Sequence, residues 1–127
     1  MFLTSPNRLA VLHKTAEGSQ DAQEIIVDAL KQDLNDVVRH EAAFLLGDLK
    51  KQGKLANPAA AMRVLIVQAR ADSSILVKHE AALALANFPC EESVSFLVEL
   101  CAHESKEVVS SALYALLDLS KVPAELK

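Results

Sequence analysis

The sequence is poor in the residues that build strands, sharp turns and disulfide frameworks. Aromatic residues make up 4% of the 127 positions, tryptophan is absent, and there are three glycines, four prolines and two cysteines. Strands usually draw on aromatic and β-branched side chains, so this composition favours helices that pack through small residues. Cys90 and Cys101 match no zinc-site spacing, and we expect them to be free thiols.

Basic charge and long apolar runs are also scarce. The formal net charge is −4 and the sequence pI is about 5.5, whereas nucleic-acid binders usually carry a basic surface. No apolar run approaches the roughly 20 residues that span a membrane. The first six residues lack the charged and apolar parts of a signal peptide. We therefore expect a soluble, cytoplasmic protein that binds neither nucleic acid nor membrane.

What the sequence does contain is a repeated helical segment. Three segments align without gaps, beginning at Val38, Val77 and Val108, and other helical patterns precede them at 21–33, 58–71 and 91–102. Helix pairs in series are typical of an α-solenoid. The sequence therefore predicts an all-α fold, a short α-solenoid of about three helix pairs with an additional N-terminal helix.

One domain is expected over residues 1–127. Its predicted parts are an N-terminal cap helix at 1–20 and repeats at 21–53, 57–88 and 90–121. Residues that favour helix N-caps stand where helices should begin, and a glycine stands where the second helix should end. The predicted caps are Asp36, Asn57, Ser74 and Ser105, and the glycine is Gly53.

Two of the aligned segments share an Arg/Lys-His-Glu-Ala-Ala element, at Arg39–Ala43 and Lys78–Ala82. At about 100° per residue, His40 falls almost opposite the apolar line that should face the core. Ala43 and Gly47 fall on the same outward side as His40. Small residues on an outward face predict space for something to approach closely.

The third segment departs from this pattern. Ser110 and Ser111 replace the His-Glu dyad, and Leu113 and Leu117 replace the small residues. Apolar side chains at outward positions predict an exposed contact surface. Tyr114 is expected to pack between repeats.

The two dyads, His40-Glu41 and His79-Glu80, are the candidate metal ligands of the sequence. Imidazole nitrogen and carboxylate oxygen together suit iron, zinc or manganese. Two dyads on neighbouring helices would bring four such ligands together. The alternative is a pair of solvated residues that was copied when the repeat duplicated. His13, which stands apart from both dyads, is expected to be a surface or packing residue.

The dyads and the residues around them resemble the His-Glu repeats of deoxyhypusine hydroxylase. More broadly, residues 21–119 resemble phycobilisome-lyase-type HEAT-like repeats. In that hydroxylase two symmetric halves together hold a di-iron centre that activates oxygen, and this chain resembles one half. The resemblance implies that His40, His79 and Glu80 hold one iron, that Glu41 reaches the iron of the opposite half, and that a homodimer completes the site.

Two classes of function therefore follow from the sequence. The first is a metalloprotein, with a di-iron, oxygen-activating site built from the dyads of two chains. The second is a non-catalytic HEAT-repeat scaffold that binds another protein on its concave face, including partner binding of the phycobilisome-lyase type. Two departures from the hydroxylase pattern bear on the choice: the longer connector at 50–55 and the missing dyad in the third segment.

Overall fold

The computed structural model describes residues 5–18, 20–102 and 105–123. All regular structure in these ranges is helical, as predicted. The helices are α1 (Ser5–Gly18), α2 (Ala22–Gln32), α3 (Asp36–Lys51), α4 (Pro58–Ala71), α5 (Ile75–Ala84), α6 (Glu91–Leu100) and α7 (Lys106–Ser120), and a 3-10 turn, Leu85–Asn87, follows α5. In the described ranges, none of the helices combines the length and apolarity that a membrane span requires.

Side-chain caps fix where α3 and α4 begin. Asn35 has extended backbone, and its Oδ1 accepts the backbone N–H groups of Val37 and Val38 at 2.8 and 3.3 Å. The prediction that Asp36 is the N-cap of α3 is therefore wrong by one residue. Asp36 lies in the first turn, where a carboxylate is favoured by the helix dipole, and it accepts the Ser74 hydroxyl at 2.9 Å.

The other predicted helix boundaries agree with the structure. Asn57 caps α4 through its side chain, and Pro58 occupies the first helical position. Ser74 and Ser105 stand at the N-cap positions of α5 and α7, but neither side chain caps its helix, and their hydroxyls donate to Asp36 and to Glu107. Gly53 follows the end of α3 with a φ of 72°, a conformation that side chains with a Cβ rarely adopt.

The helices stack in two layers. The odd-numbered helices lie side by side, with α3 against α1, α5 against α3 and α7 against α5. Each even-numbered helix packs on the odd-numbered helix that follows it, and α4 also contacts α2 and α6. This serial arrangement of helix pairs, with α1 as an additional helix in the odd layer, is the predicted α-solenoid.

The small residues of the repeated element lie between helices rather than on an outward face. Ala43 and Ala82 are fully buried, and Gly47 is buried as well. The prediction that they leave space for a ligand is therefore wrong. The prediction, made at about 100° per residue, gave each helix one buried side. A helix in the middle of a stack packs against its partner and also against an odd-layer neighbour on either side.

Gly47 shows how close this packing is. A Cβ atom at this position would lie 3.0 Å from Cβ and 3.2 Å from Cα of Ala84, and 3.1 Å from Nδ2 of Asn87. Because Cα of Ala84 is backbone, a side chain at position 47 would have to push α5 away from α3. The missing side chain therefore sets the distance between two odd-layer helices.

Replacing Gly47 with leucine should destabilise the fold by about 1–3 kcal/mol or more, because the added atoms overpack the α3–α5 contact. Gly18 provides the matched control, since a Cβ there meets nothing within 4 Å. We expect Gly18→Leu to change the free energy of unfolding by no more than about 0.5 kcal/mol. Urea denaturation of both variants measures the difference, and equal stability would contradict the close approach.

Two aspartates tie the first two helix pairs to the odd-layer helix that precedes each of them. Asp33, at the end of α2, accepts Nε and Nη2 of Arg8 at 2.7 and 3.0 Å. Asp72, at the end of α4, accepts Nε and Nη2 of Arg39 at 3.0 Å each. Each carboxylate also accepts the backbone N–H two residues later. These paired, charge-assisted contacts fix the turn into the next helix as well as the helix spacing.

The environment of Asp33 favours its ionised form. Burial acts to raise its pKa, but the hydrogen bonds from Arg8 and from the Asn35 backbone, with the charges of Arg8 and Arg39, outweigh it. The pKa of Asp33 therefore lies below the ordinary value of an aspartate. At Arg39, the hydrogen bond to Asp72 raises the guanidinium pKa against the opposing effect of burial.

The lowered pKa of Asp33 predicts a loss of stability in acid. An aspartate in an unfolded chain titrates near pH 3.9, so the Asp33 contribution is complete above that pH and is lost as pH falls through the lower folded value. The difference in unfolding free energy between the native protein and Asp33→Asn should stay constant between about pH 5 and 7 and shrink below about pH 4. Denaturation at a series of pH values measures it, and a difference that persists undiminished to about pH 2 would contradict this assignment.

Candidate functional site

The two residues of each dyad face different neighbouring helices. Nε2 of His40 lies 3.1 Å from Oε2 of Glu80, so this contact joins α3 to α5. Nε2 of His13 lies 3.3 Å from Oε1 of Glu41, which joins α1 to α3. In both contacts the histidine belongs to the earlier helix and the glutamate to the later one. The partners in space are therefore histidine and glutamate from successive helices, not the two residues of one dyad.

The same arrangement continues into the third repeat with a serine in the glutamate position. Nδ1 of His79 lies 2.5 Å from Oγ of Ser111, and this contact joins α5 to α7. The Ser111 hydroxyl in turn donates to the backbone carbonyl of Glu107 at 2.8 Å. We call the three contacts His13–Glu41, His40–Glu80 and His79–Ser111 the cross-helix row.

Helix geometry explains the row. Adjacent residues on a helix point about 100° apart, so a histidine and the following glutamate can reach opposite neighbours in a layer of helices. The small residues beside them let those neighbours come close. Side-chain exposure decreases inward along the row, from 51% at His13 to 25% at His40 and 13% at Glu80. The pair formed by His40 and Glu80 is therefore partly shielded from solvent.

Two members of the row were not among the candidate ligands. His13 was expected to be a surface or packing residue, yet it takes the same place on α1 that His40 takes on α3. Aligning these two histidines also aligns Val11 with Val38, which is the sequence signal that identifies α1 as a member of the odd layer. For Ser111 the sequence signal is its alignment with Glu41 and Glu80, but only the structure shows that it meets His79.

The structure distributes the four predicted ligands over three contacts. His40 and Glu80 meet each other, whereas Glu41 meets His13 and His79 meets Ser111. In the part of the chain that the structure describes, no three His, Cys, Asp or Glu side chains come together as a group able to hold a metal ion. Of the four predicted ligands, His40 and Glu80 therefore form one close pair, while Glu41 and His79 contact residues outside the predicted set.

A groove of about 520 Å³ borders His79 between α5 and α7. Its lining includes Leu83 and Tyr114 as well as Ser111. Tyr114 is 66% exposed, so the prediction that it packs between repeats is wrong. It lies on α7, the last odd-layer helix in the described ranges, where no later helix covers it.

The predicted exposure of α7 is confirmed. Leu113 and Leu117 are each 55% exposed, although the residues at the same places on α3, Ala43 and Gly47, are buried. The flank of α7 that these leucines occupy corresponds to the flank with which α3 contacts its neighbour. An apolar surface is therefore open at this end of the described stack.

Comparison with known proteins agrees with this architecture. The family model for HEAT repeats matches residues 62–126, and the chain belongs to the HEAT-repeat family. Within that class it is similar to deoxyhypusine hydroxylase-B of Oryza sativa subsp. japonica, with 30% identity over 112 residues, which is 88% of this chain and 35% of that protein.

A second curated relative is the deoxyhypusine hydroxylase of Chaetomium globosum. It is 29% identical over 89 residues, which cover 70% of this chain and 24% of the relative. The matched regions thus span about a third and about a quarter of these two relatives. No solved structure matches the chain. The resemblance that the dyads suggested is confirmed at the level of the family and its relatives.

Proposed function

We propose that this chain is one half of a metal-binding protein related to deoxyhypusine hydroxylase, with His40, Glu41, His79 and Glu80 as its metal ligands. The observation that supports the proposal most directly is the contact of 3.1 Å between Nε2 of His40 and Oε2 of Glu80. It brings a nitrogen and an oxygen donor together from two repeats. The same two residues belong to the ligand set that the resemblance to the hydroxylase implies.

The donor atoms fit the proposed group. Two ligand atoms that bind one ion at about 2.0–2.2 Å lie about 3 Å apart when they are neighbours in its coordination shell. The separation of His40 and Glu80 matches that distance, so a metal could replace the shared proton with little movement of either helix. Imidazole and carboxylate suit iron, with zinc or manganese as alternatives, and iron held this way supplies oxygen-activating chemistry.

A second copy of the chain would complete the ligand set. A twofold dimer presents the same surface from both chains, so His40, His79 and Glu80 of one chain would face Glu41 of the other. This arrangement requires Nε2 of His79 to approach the pair formed by His40 and Glu80, because no group of three such ligands forms among the described residues. It also encloses the site, which limits the access of water to a reactive centre.

The remaining residues of the site hold the donors in place. Arg39 precedes His40 and is anchored by two hydrogen bonds to Asp72, which limits the rotation of α3 at this point.

The names of the two curated relatives give deoxyhypusine as their substrate. For this chain we propose a hydroxylase-like oxidation, and we do not extend the proposal to that substrate.

The second candidate function is that of a non-catalytic HEAT scaffold. The observation that favours it is the exposed apolar flank of α7, which contains Leu113, Tyr114 and Leu117. Exposed apolar side chains that lie together on one flank are typical of protein contact sites. A partner of the phycobilisome-lyase type is one alternative for this surface. In this alternative the cross-helix row serves only to hold the repeats in register.

Metal analysis separates the two functions. Protein made without a histidine tag and loaded anaerobically with Fe(II) should retain about one iron per chain. His40→Ala, His79→Ala and Glu80→Gln should each retain less than about a tenth of that amount, because each removes a ligand. Glu99→Gln is the matched control, since Glu99 is exposed and pairs with Arg70. Absence of bound metal from the native protein would leave the scaffold as the function.

The role of the second chain predicts a link between metal and self-association. Because Glu41 would bind the metal of the other half, removal of iron by a chelator should weaken the dimer, and Glu41→Gln should do the same without a chelator. Sedimentation velocity of the iron-loaded and metal-free protein measures the shift. A monomer that holds iron tightly would contradict the dimeric site while leaving metal binding intact.

A further inference from the structure

We propose that Ser111 is a positioning residue for His79, and that it holds the imidazole in the tautomer with the proton on Nδ1 and the lone pair on Nε2. The inference rests on the proposed function only where metal binding is concerned. The tautomer itself is a property of the metal-free chain.

The Ser111 hydroxyl has a single proton to donate. Oγ of Ser111 lies 2.8 Å from the carbonyl oxygen of Glu107 and 2.5 Å from Nδ1 of His79. A carbonyl oxygen only accepts, so the hydroxyl proton is used in that bond. The contact with Nδ1 is then a hydrogen bond only if the imidazole donates. Both contacts coexist in one tautomer, with the proton on Nδ1.

Burial strengthens this assignment. Ser111 is 3% exposed, so water has little access to replace either bond. Ser111 also sits on α7, whose helical backbone fixes the hydroxyl relative to the Glu107 carbonyl one turn earlier. Nδ1 of His79 therefore meets an acceptor in a fixed position. Such an arrangement orients the ring and selects its tautomer.

The consequence lies at the other ring nitrogen. Nε2 of His79 has no hydrogen-bond partner among the residues that the structure describes, and the side chain borders the groove between α5 and α7. With the proton on Nδ1, Nε2 carries an unshared lone pair, which is what a metal ligand requires. Metal-binding histidines usually have their second nitrogen held by such a partner. Ser111, which aligns with Glu41 and Glu80 of the other two repeats, would be that hydrogen-bond partner.

The tautomer can be measured directly by NMR. In chelator-treated protein labelled with ¹⁵N-histidine, at about pH 8 where an unperturbed imidazole is neutral, two-bond ¹H–¹⁵N correlations distinguish the two nitrogens. The His79 signals are those lost in His79→Ala. We expect a protonated Nδ1 in the native chain, a shift towards Nε2 protonation in Ser111→Ala, and the native pattern in Ser111→Thr, which keeps a hydroxyl.

Ser110→Ala is the matched control, because it removes a neighbouring, exposed hydroxyl that also lines the groove but makes no hydrogen bond to His79. Its NMR pattern should equal that of the native chain. Circular dichroism of each variant establishes that the helices are intact. A native His79 protonated on Nε2, or an unchanged pattern in Ser111→Ala, would overturn the assignment.

A second measurement separates this inference from the proposed function. In anaerobic Fe(II) titrations, Ser111→Ala should bind at least about 10-fold more weakly than Ser110→Ala, the effect expected of a lost partner to a metal-binding histidine. Equal affinities would refute the role of Ser111 in metal binding. If the native chain bound no Fe(II) but kept the expected tautomer, the proposed metal site would fail and the positioning of His79 by Ser111 would stand.

Discussion

The close approach of α3 and α5 is the constraint on which the rest of the structure depends. It is possible because the contact is built from Gly47 and alanines, and a Cβ on Gly47 would lie only 3.2 Å from the backbone of Ala84. At this spacing a histidine on one helix can touch a glutamate on the next. A bulkier pair of surfaces would separate the helices and break the row. Packing through small residues is therefore a condition for the contacts of the cross-helix row.

The ion pair between Arg39 and Asp72 connects that packing to the site. Their side chains are 13% and 3% exposed, so the two charges are desolvated together and gain from two parallel hydrogen bonds. Loss of either partner would leave a buried charge, which costs far more than an exposed pair contributes. Arg39 directly precedes His40. The contact that holds the helix pair in place therefore also fixes the position of the neighbouring ligand candidate.

Much of the fold follows from the sequence, because the repeated valine positions, the caps and Pro58 each act locally. The surroundings of the dyads do not. A wheel drawn for one helix places Ala43 and Gly47 outside, since it contains no information about the next helix in the layer. In the stack both residues are buried, and Gly47 lies close to Ala84 of the next odd-layer helix. The pairing of His13 with Glu41 and of His79 with Ser111 depends on that same missing information.

The cross-helix row also explains why duplication alone is an incomplete account of the dyads. A copied histidine without a role would not need a polar partner. Each histidine of the row nevertheless meets one on the next helix, even in the third repeat, where Ser111 replaces the glutamate. Register between repeats accounts for those contacts. It does not require that the partner of His79 be a neutral hydroxyl while the partner of His40 is a carboxylate. The two imidazoles also use different nitrogens, since Nε2 of His40 faces the carboxylate and Nδ1 of His79 faces the hydroxyl, and register alone does not require that difference.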